Sequence, residues 1–193
     1  MSHRLYTTAG FIVESRPYKE AGKILSIFTR DLGMVTAVAQ GIRLGTSKLR
    51  YHMQDYALID VSFVRGKEIW RIVGAERSAL DSIGVHLDPL FIRSLQVLRR
   101  LVQGEEKNEA LFATILSVRD FLNGSSSEDR SIIEPIIMLR MLRHLGYIQI
   151  QSELGVFLHD DSFAPDVLDV MRNSVTKSLA IKEINKALQE SHL

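Results

Sequence analysis

The chain of 193 residues contains no cysteine. That excludes disulfides, a cysteine nucleophile and every thiolate metal site, the four-cysteine zinc ribbon included. Nowhere do about 18 apolar residues run without a charge, and the N-terminal MSHRLYTTAGFIVESR lacks the roughly 7- to 15-residue apolar core of a secretion signal. The expectation is a soluble protein with no membrane association, cytoplasmic by default. Enzyme signatures are missing as well: there is no G-x-S-x-G elbow, no H-E-x-x-H, and no G-x-G-x-x-G after a strand-like run. The paired carboxylates Glu105-Glu106 and Glu128-Asp129 fall at helix starts, where they favour the dipole. Neither a catalytic site nor a cofactor is expected.

Charge of one sign is also absent overall, with a net of only +1. It is nevertheless unevenly placed. Residues 1 to 77 carry 12 Lys+Arg against 7 Asp+Glu, and residues 78 to 193 carry 12 against 16, so a basic half precedes an acidic one. Different partners for the two halves follow. At 46% hydrophobic, the chain is long enough to bury a substantial core.

From residue 5 to 76 the pattern is that of strands. LYTTAGFIVES, KILSIFTR, MVTAVAQ, YALIDVSFV and EIWRIVGAE are rich in β-branched and aromatic residues and are separated by RPYKEAG, DLG and RGK. Five short strands in so little chain suit a small closed barrel. In ALIDVSFV, Ile59, Val61 and Phe63 share one face against Leu58, Asp60, Ser62 and Val64. In KILSIFTR both faces carry apolar groups.

After Glu76 the period changes to that of helices. Asp88-Pro89 supplies an N-cap and a first-turn proline for LFIRSLQVLRRLV, which Gly104 stops. A second helix fits EKNEALFATILSVRDFL, closed by Asn123-Gly124. GSSSED, from residue 124, reads as a flexible connection near 124–130. Ser131 with Glu134 has capping-box spacing for a third helix, apolar nearly all round, that ends at Gly146. Residues 147 to 163 fit an irregular connection or a small hairpin, and two shorter helices fit 165–173 and 178–191. The expected division is 1–80 and 81–193.

Two basic segments stand out. GIRLGTSKLR carries Arg43, Lys48 and Arg50 with no acid, but its glycines are one residue too close for a nucleotide-binding loop, and Thr46-Ser47 precede the lysine instead of following it. Cations, hydroxyls and glycines on a loop suit phosphate contact. Composition alone leaves that reading level with a solvated hairpin loop. The second segment holds Arg16, Lys19 and Lys23 around Tyr18, the mixture of cations and rings used by single-strand binding grooves. Phe28 and Trp70 lie inside strands and read as core. The six histidines are scattered, and His159-Asp160-Asp161 reads as a polar turn rather than a metal site.

Taken together, several of these segments resemble the RecO family of bacterial recombination mediators. They are GFIV from Gly10, RPYKE from Arg16, KILSIFTR from Lys23, LGMV from Leu32, and AVAQGIR from Ala37 with Ser47 and Lys48. NEALF from Asn108 and MLRMLRHLGY from Met138 extend the likeness into the helical half, where many members carry a zinc ribbon after such a stretch. With no cysteine, this chain looks like a shortened, zinc-free member.

The resemblance implies an α+β architecture: an N-terminal five-stranded OB-fold barrel followed by an all-helical C-terminal domain. It implies binding of single- and double-stranded DNA, and ATP-independent annealing of strands coated by single-strand DNA-binding protein. It also implies a grip on that protein's acidic, apolar C-terminal tail, loading of RecA together with RecR, and a cytoplasmic, nucleoid-associated location. Arg43, Lys48, Arg50, Arg16, Lys19, Lys23 and Tyr18 are then the DNA contacts. Arg99 and Arg100 on the first helix, or Arg140 and Arg143 on the third, are candidates for the basic rim of a tail pocket. A protein-interaction adaptor with weak DNA binding is the alternative. An enzyme acting on nucleotides or RNA rests only on the barrel's general habit of binding oligonucleotides.

Overall fold

A computed structural model describes residues 4–81, 88–124, 130–149, 154–159 and 162–190. The five strand-like segments form β1 (Leu5–Tyr18), β2 (Gly22–Thr29), β3 (Gly33–Ala39), β4 (Leu58–Arg65) and β5 (Trp70–Arg77). They close into a barrel in the order β1-β2-β3-β5-β4, with β4 pairing back onto β1. β3 and β5 run parallel, and the other pairings are antiparallel. This is the five-stranded Greek-key topology of the OB fold. Register shifts between Ile12 and Glu14 and between Ser62 and Phe63 mark bulges, which bend strands so that so small a sheet can close.

Alternation decides which side chains fill the barrel. Ile59, Val61 and Phe63 of β4 join Ile12, Leu25, Ile27, Val35 and Trp70 in one buried cluster. Asp60, on the opposite face of β4, instead accepts hydrogen bonds from Ser78 Oγ at 2.8 Å and the Ala79 amide at 3.2 Å, anchoring the chain where β5 ends. In β2, Phe28 is fully buried although it faces away from Leu25 and Ile27.

The connection between β3 and β4 is not a hairpin, because those strands are not neighbours in the barrel. Ile42, Met53 and Ala57 from this connection enter the barrel core. Burying Ile42 and Met53 stabilises by about 1.5–3 kcal/mol each, so both ends of the loop are anchored.

The chain separates into two compact units, Met1–Leu87 with Val102–Glu109, and Asp88–Leu101 with Ala110–Leu193. A single boundary at residue 80 therefore leaves out residues 102–109, which return to the barrel unit. Gly104 accepts the Met34 amide at 3.1 Å. Gly33, at φ +71, lies so close to Glu106 that a Cβ there would stand 2.3 Å from the Glu106 carbonyl oxygen. Glu105 accepts from Trp70 Nε1 at 2.8 Å and from Arg65. Tyr6 and Phe63 pack edge-on against Trp70, with ring centroids 5.2 Å and 5.9 Å away.

In the second unit, α1 (Pro89–Leu101) starts as its sequence dictates, with Asp88 Oδ1 accepting the Leu90 amide at 2.7 Å. α2 spans Glu109–Gly124, so Glu106 and Lys107 belong to the returning segment rather than to the helix. α3 (Arg130–His144) already includes Arg130, which overturns Ser131 as its cap; Glu134 pairs with Arg93 at 2.8 Å instead. Residues 125–129 of the expected flexible connection lie outside the described residues.

After α3, a single 3-10 turn, Gly155–Phe157, is described and no hairpin is present among the described residues. α4 (Pro165–Arg172) and α5 (Ser174–Glu190) follow. α5 begins earlier than the apolar pattern indicates because Asn173 Oδ1 accepts the Val175 and Thr176 amides at 2.9 Å and 3.3 Å.

Candidate nucleic-acid interface

β1, β3 and β5 run one way and β2 and β4 the other, so the β1–β2 turn and the β3–β4 connection leave from the same end of the barrel. The two basic segments are those two connections. They touch: the Arg43 amide donates to the Ala21 carbonyl at 2.9 Å. Lys19 holds the left-handed conformation, φ +52, that closes the β1–β2 turn, and Gly41, at φ +67, turns the chain off β3. Between them lies a depression of about 480 Å³ bordered by Tyr18, Lys19, Glu20, Ala21, Gly22, Gln40 and Gly41.

Arg16, Lys19, Arg43, Lys48 and Arg50 are all exposed. Lys23 is half-buried, its Nζ donating to Ser15 Oγ at 3.1 Å. Tyr18 is half-buried beneath Lys19, whose Nζ sits 5.3 Å from the ring centroid. Phe28 and Trp70 are buried in the barrel, as their strand positions indicate.

Two further residues share this region and are not evident from the motif pattern. Arg71 is exposed on β5 and donates to Gln40 Oε1 at 3.1 Å, at the point where β3 gives way to the basic connection. Its signal is the period of two, since Trp70 and Ile72 face inward and leave Arg71 outward. Tyr51, one residue beyond the basic stretch, is 65% exposed at the end of a 3-10 turn. Sequence offers only its adjacency to Arg50 as a clue.

The arginines of the helical unit divide into two kinds. Arg99 and Arg100 are exposed in the last turn of α1, and Arg100 borders a cavity of about 130 Å³ lined by Val97, Leu101, Met138 and Leu188. Arg140 does not meet the expectation of a rim cation. It is 1% exposed, donating to the Phe157 and Ser162 carbonyls at 2.8 Å and 2.6 Å, with its guanidinium 4.5 Å from the Phe163 ring centroid. Arg143 is half-buried and donates to the Leu158 carbonyl. Together they hold the segment after α3, the position at which the resemblance puts a zinc ribbon in many members.

Among the described residues no cluster of His, Asp and Glu is arranged to hold a metal ion, and no helix is long and apolar enough to cross a membrane.

An OB-fold barrel with cationic connections at one end, continued by a helical unit, defines the class of the molecule. A family model described as "Recombination protein O N terminal" matches residues 1–79, a stretch that holds all five barrel strands. The chain is similar to proteins named "DNA repair protein RecO" from Dehalococcoides mccartyi, 33% identical over 64% of this chain and 50% of that protein, and from Klebsiella pneumoniae, 30% identical over 83% and 63%. The relative from Clostridium perfringens is 27% identical over 74% of this chain and 59% of its own length. Over residues 1–79 the chain matches the RecO N-terminal domain, and its similarity to RecO proteins continues into the helical unit. It spans about half to three-fifths of the length of these curated relatives.

Proposed function

We propose that the chain is a recombination mediator of DNA repair that binds single- and double-stranded DNA at the cationic end of its barrel. The observation that supports this reading is the Arg43–Ala21 hydrogen bond, which ties the turn of one basic segment to the start of the other. Arg16, Lys19, Lys23, Arg43, Lys48 and Arg50 supply phosphate contacts there, and Tyr18 borders the depression between them. Such contacts carry no base code; they neutralise phosphates and release condensed counterions.

Annealing follows from the same chemistry. Two complementary strands repel one another along their phosphates, and a surface that screens both lowers the barrier to pairing. Base pairing supplies the free energy, so neither ATP hydrolysis nor a catalytic group is required. Names of the relatives support the repair setting. The further steps, action on strands coated by single-strand DNA-binding protein and loading of RecA with RecR, are part of this reading, as is a cytoplasmic, nucleoid-associated location.

For the acidic, apolar tail of the single-strand-binding protein, the cavity beside Arg100 has the required chemistry: apolar walls with a cation at the rim. Arg99 stands one residue away on the same turn of α1.

The test is annealing of complementary labelled oligonucleotides without nucleotide cofactor, together with binding of single strands at low and moderate salt. Acceleration of annealing, and affinity that falls steeply with salt, are expected. A purified chain that neither shifts the oligonucleotide nor speeds annealing overturns the proposal. Charge reversal at Arg43, Lys48 and Arg50 separates it from an adaptor: unchanged DNA affinity in that variant, with tail-peptide binding intact, favours the adaptor.

A further inference from the structure

The geometry points to Tyr51 as a base-stacking residue that gives the cationic end of the barrel a preference for unpaired nucleobases over paired ones. This rests on the DNA-binding reading above and deepens it.

Tyr51 is presented rather than packed. Tyr51 is 65% exposed, while the residues two positions before and after it are held down: Leu49 packs against the barrel core and Met53 is 2% exposed within it. The Met53 and His52 amides both donate to the Leu49 carbonyl, at 3.1 Å and 3.2 Å, which fixes the tight turn that carries the ring. The backbone that carries the ring is thus ordered before anything lands on it.

The surroundings select the ligand. The Arg50 guanidinium stands 5.3 Å from the Tyr51 ring centroid, and Lys48 and Arg43 precede it on the same connection, with no acid between Arg43 and Tyr51. An apolar protein partner would have to desolvate those cations. A polyanion with flat aromatic faces satisfies cations and ring together, as in single-strand grooves where backbone charge is tracked and bases stack. Leu44, on the same connection, is also exposed, at 54%. Paired bases inside a duplex keep their faces stacked on one another, so the ring contributes only to single strands.

The test compares a labelled oligothymidylate with an abasic oligomer of equal length and phosphate number, by fluorescence anisotropy on the full chain. The wild type is expected to bind the thymidylate about five- to tenfold more tightly than the abasic strand, the scale of one stacked base. Tyr51→Ala binds both strands at the wild type's abasic affinity, Tyr51→Phe keeps the preference, and duplex affinity is the same in all three. A wild type that does not distinguish the two strands, or a Tyr51→Ala variant that still does, overturns the inference. If abasic binding is intact and salt-sensitive, the phosphate surface stands and only the stacking role falls. If neither strand binds at low salt, both readings fall.

Discussion

The amide of Arg43 donates to the carbonyl of Ala21 across 2.9 Å, tying the β3–β4 connection to the β1–β2 turn. Because the bond is between backbones, it survives substitution of either side chain. The cations of the two segments can therefore be removed in sets without dismantling the platform that carries them.

Neutralising Arg43, Lys48 and Arg50 to glutamine is expected to weaken single-strand binding and to reduce the slope of log affinity against log salt by about 2, three contacts at roughly 0.7 each. Anisotropy titrations at several salt concentrations measure both. A weaker affinity with an unchanged slope would mean that these residues do not touch phosphates.

Arg71→Gln tests whether the surface extends onto β5. Losing one phosphate contact at the edge of the site lowers the slope by about 0.7 and weakens single strands and duplexes alike. Thermal stability should stay within about 0.5 kcal/mol of the wild type, since Arg71 is exposed and its bond to Gln40 lies at the surface.

Arg140 and Arg100 should behave as opposites. Arg140→Ala leaves the Phe157 and Ser162 carbonyls without their charged donor and is expected to cost about 3 kcal/mol in urea unfolding. Lysine does not rescue it, because an ammonium cannot reproduce the planar fork that spans two carbonyls. Arg100→Glu leaves stability nearly unchanged and abolishes capture of an acidic, apolar tail peptide; equal peptide binding by the variant removes the cavity from consideration.

Glu105→Ala removes the acceptor of Trp70 Nε1 and the partner of Arg65. The expected loss is about 1–2 kcal/mol, most of it from the indole, because the Arg65 pair is exposed and screened. Glu105→Gln retains an acceptor oxygen and should recover most of the loss. The fluorescence of the single tryptophan reports the transition directly. A glutamine variant as unstable as the alanine one would assign the stabilisation to the ion pair.

The strands were legible because period-two alternation and turn residues agree along the whole first half of the chain. α1 was legible for a similar local reason: Asp88 and Pro89 make its cap regardless of what packs elsewhere. The course of residues 102–109 was not. Glu105-Glu106 has the composition of an acidic helix start, and what draws it away are Gly33, Met34 and Trp70, far upstream in the chain. Arg140 misled for the converse reason. Sequence shows a cation on a helix, whereas its burial depends on two carbonyls offered by an irregular segment that has no periodicity to read. Of the proposed DNA surface, the cations were legible as composition. Their convergence depended on which strand ends share a barrel end, and Tyr51 lay outside the basic pattern altogether.

The return of residues 102–109 to the barrel unit also sets an order in time. A ribosome releases all five strands before it makes α1, yet the piece that seats Glu105 on Trp70 and Glu106 against Gly33 is made only after α1. The N-terminal unit thus cannot reach its final state as soon as its last strand emerges, and a stretch of the C-terminal unit must be synthesised first. A barrel excised by one cut after β5 would keep its sheet and lose that closing piece, leaving Trp70 without its acceptor.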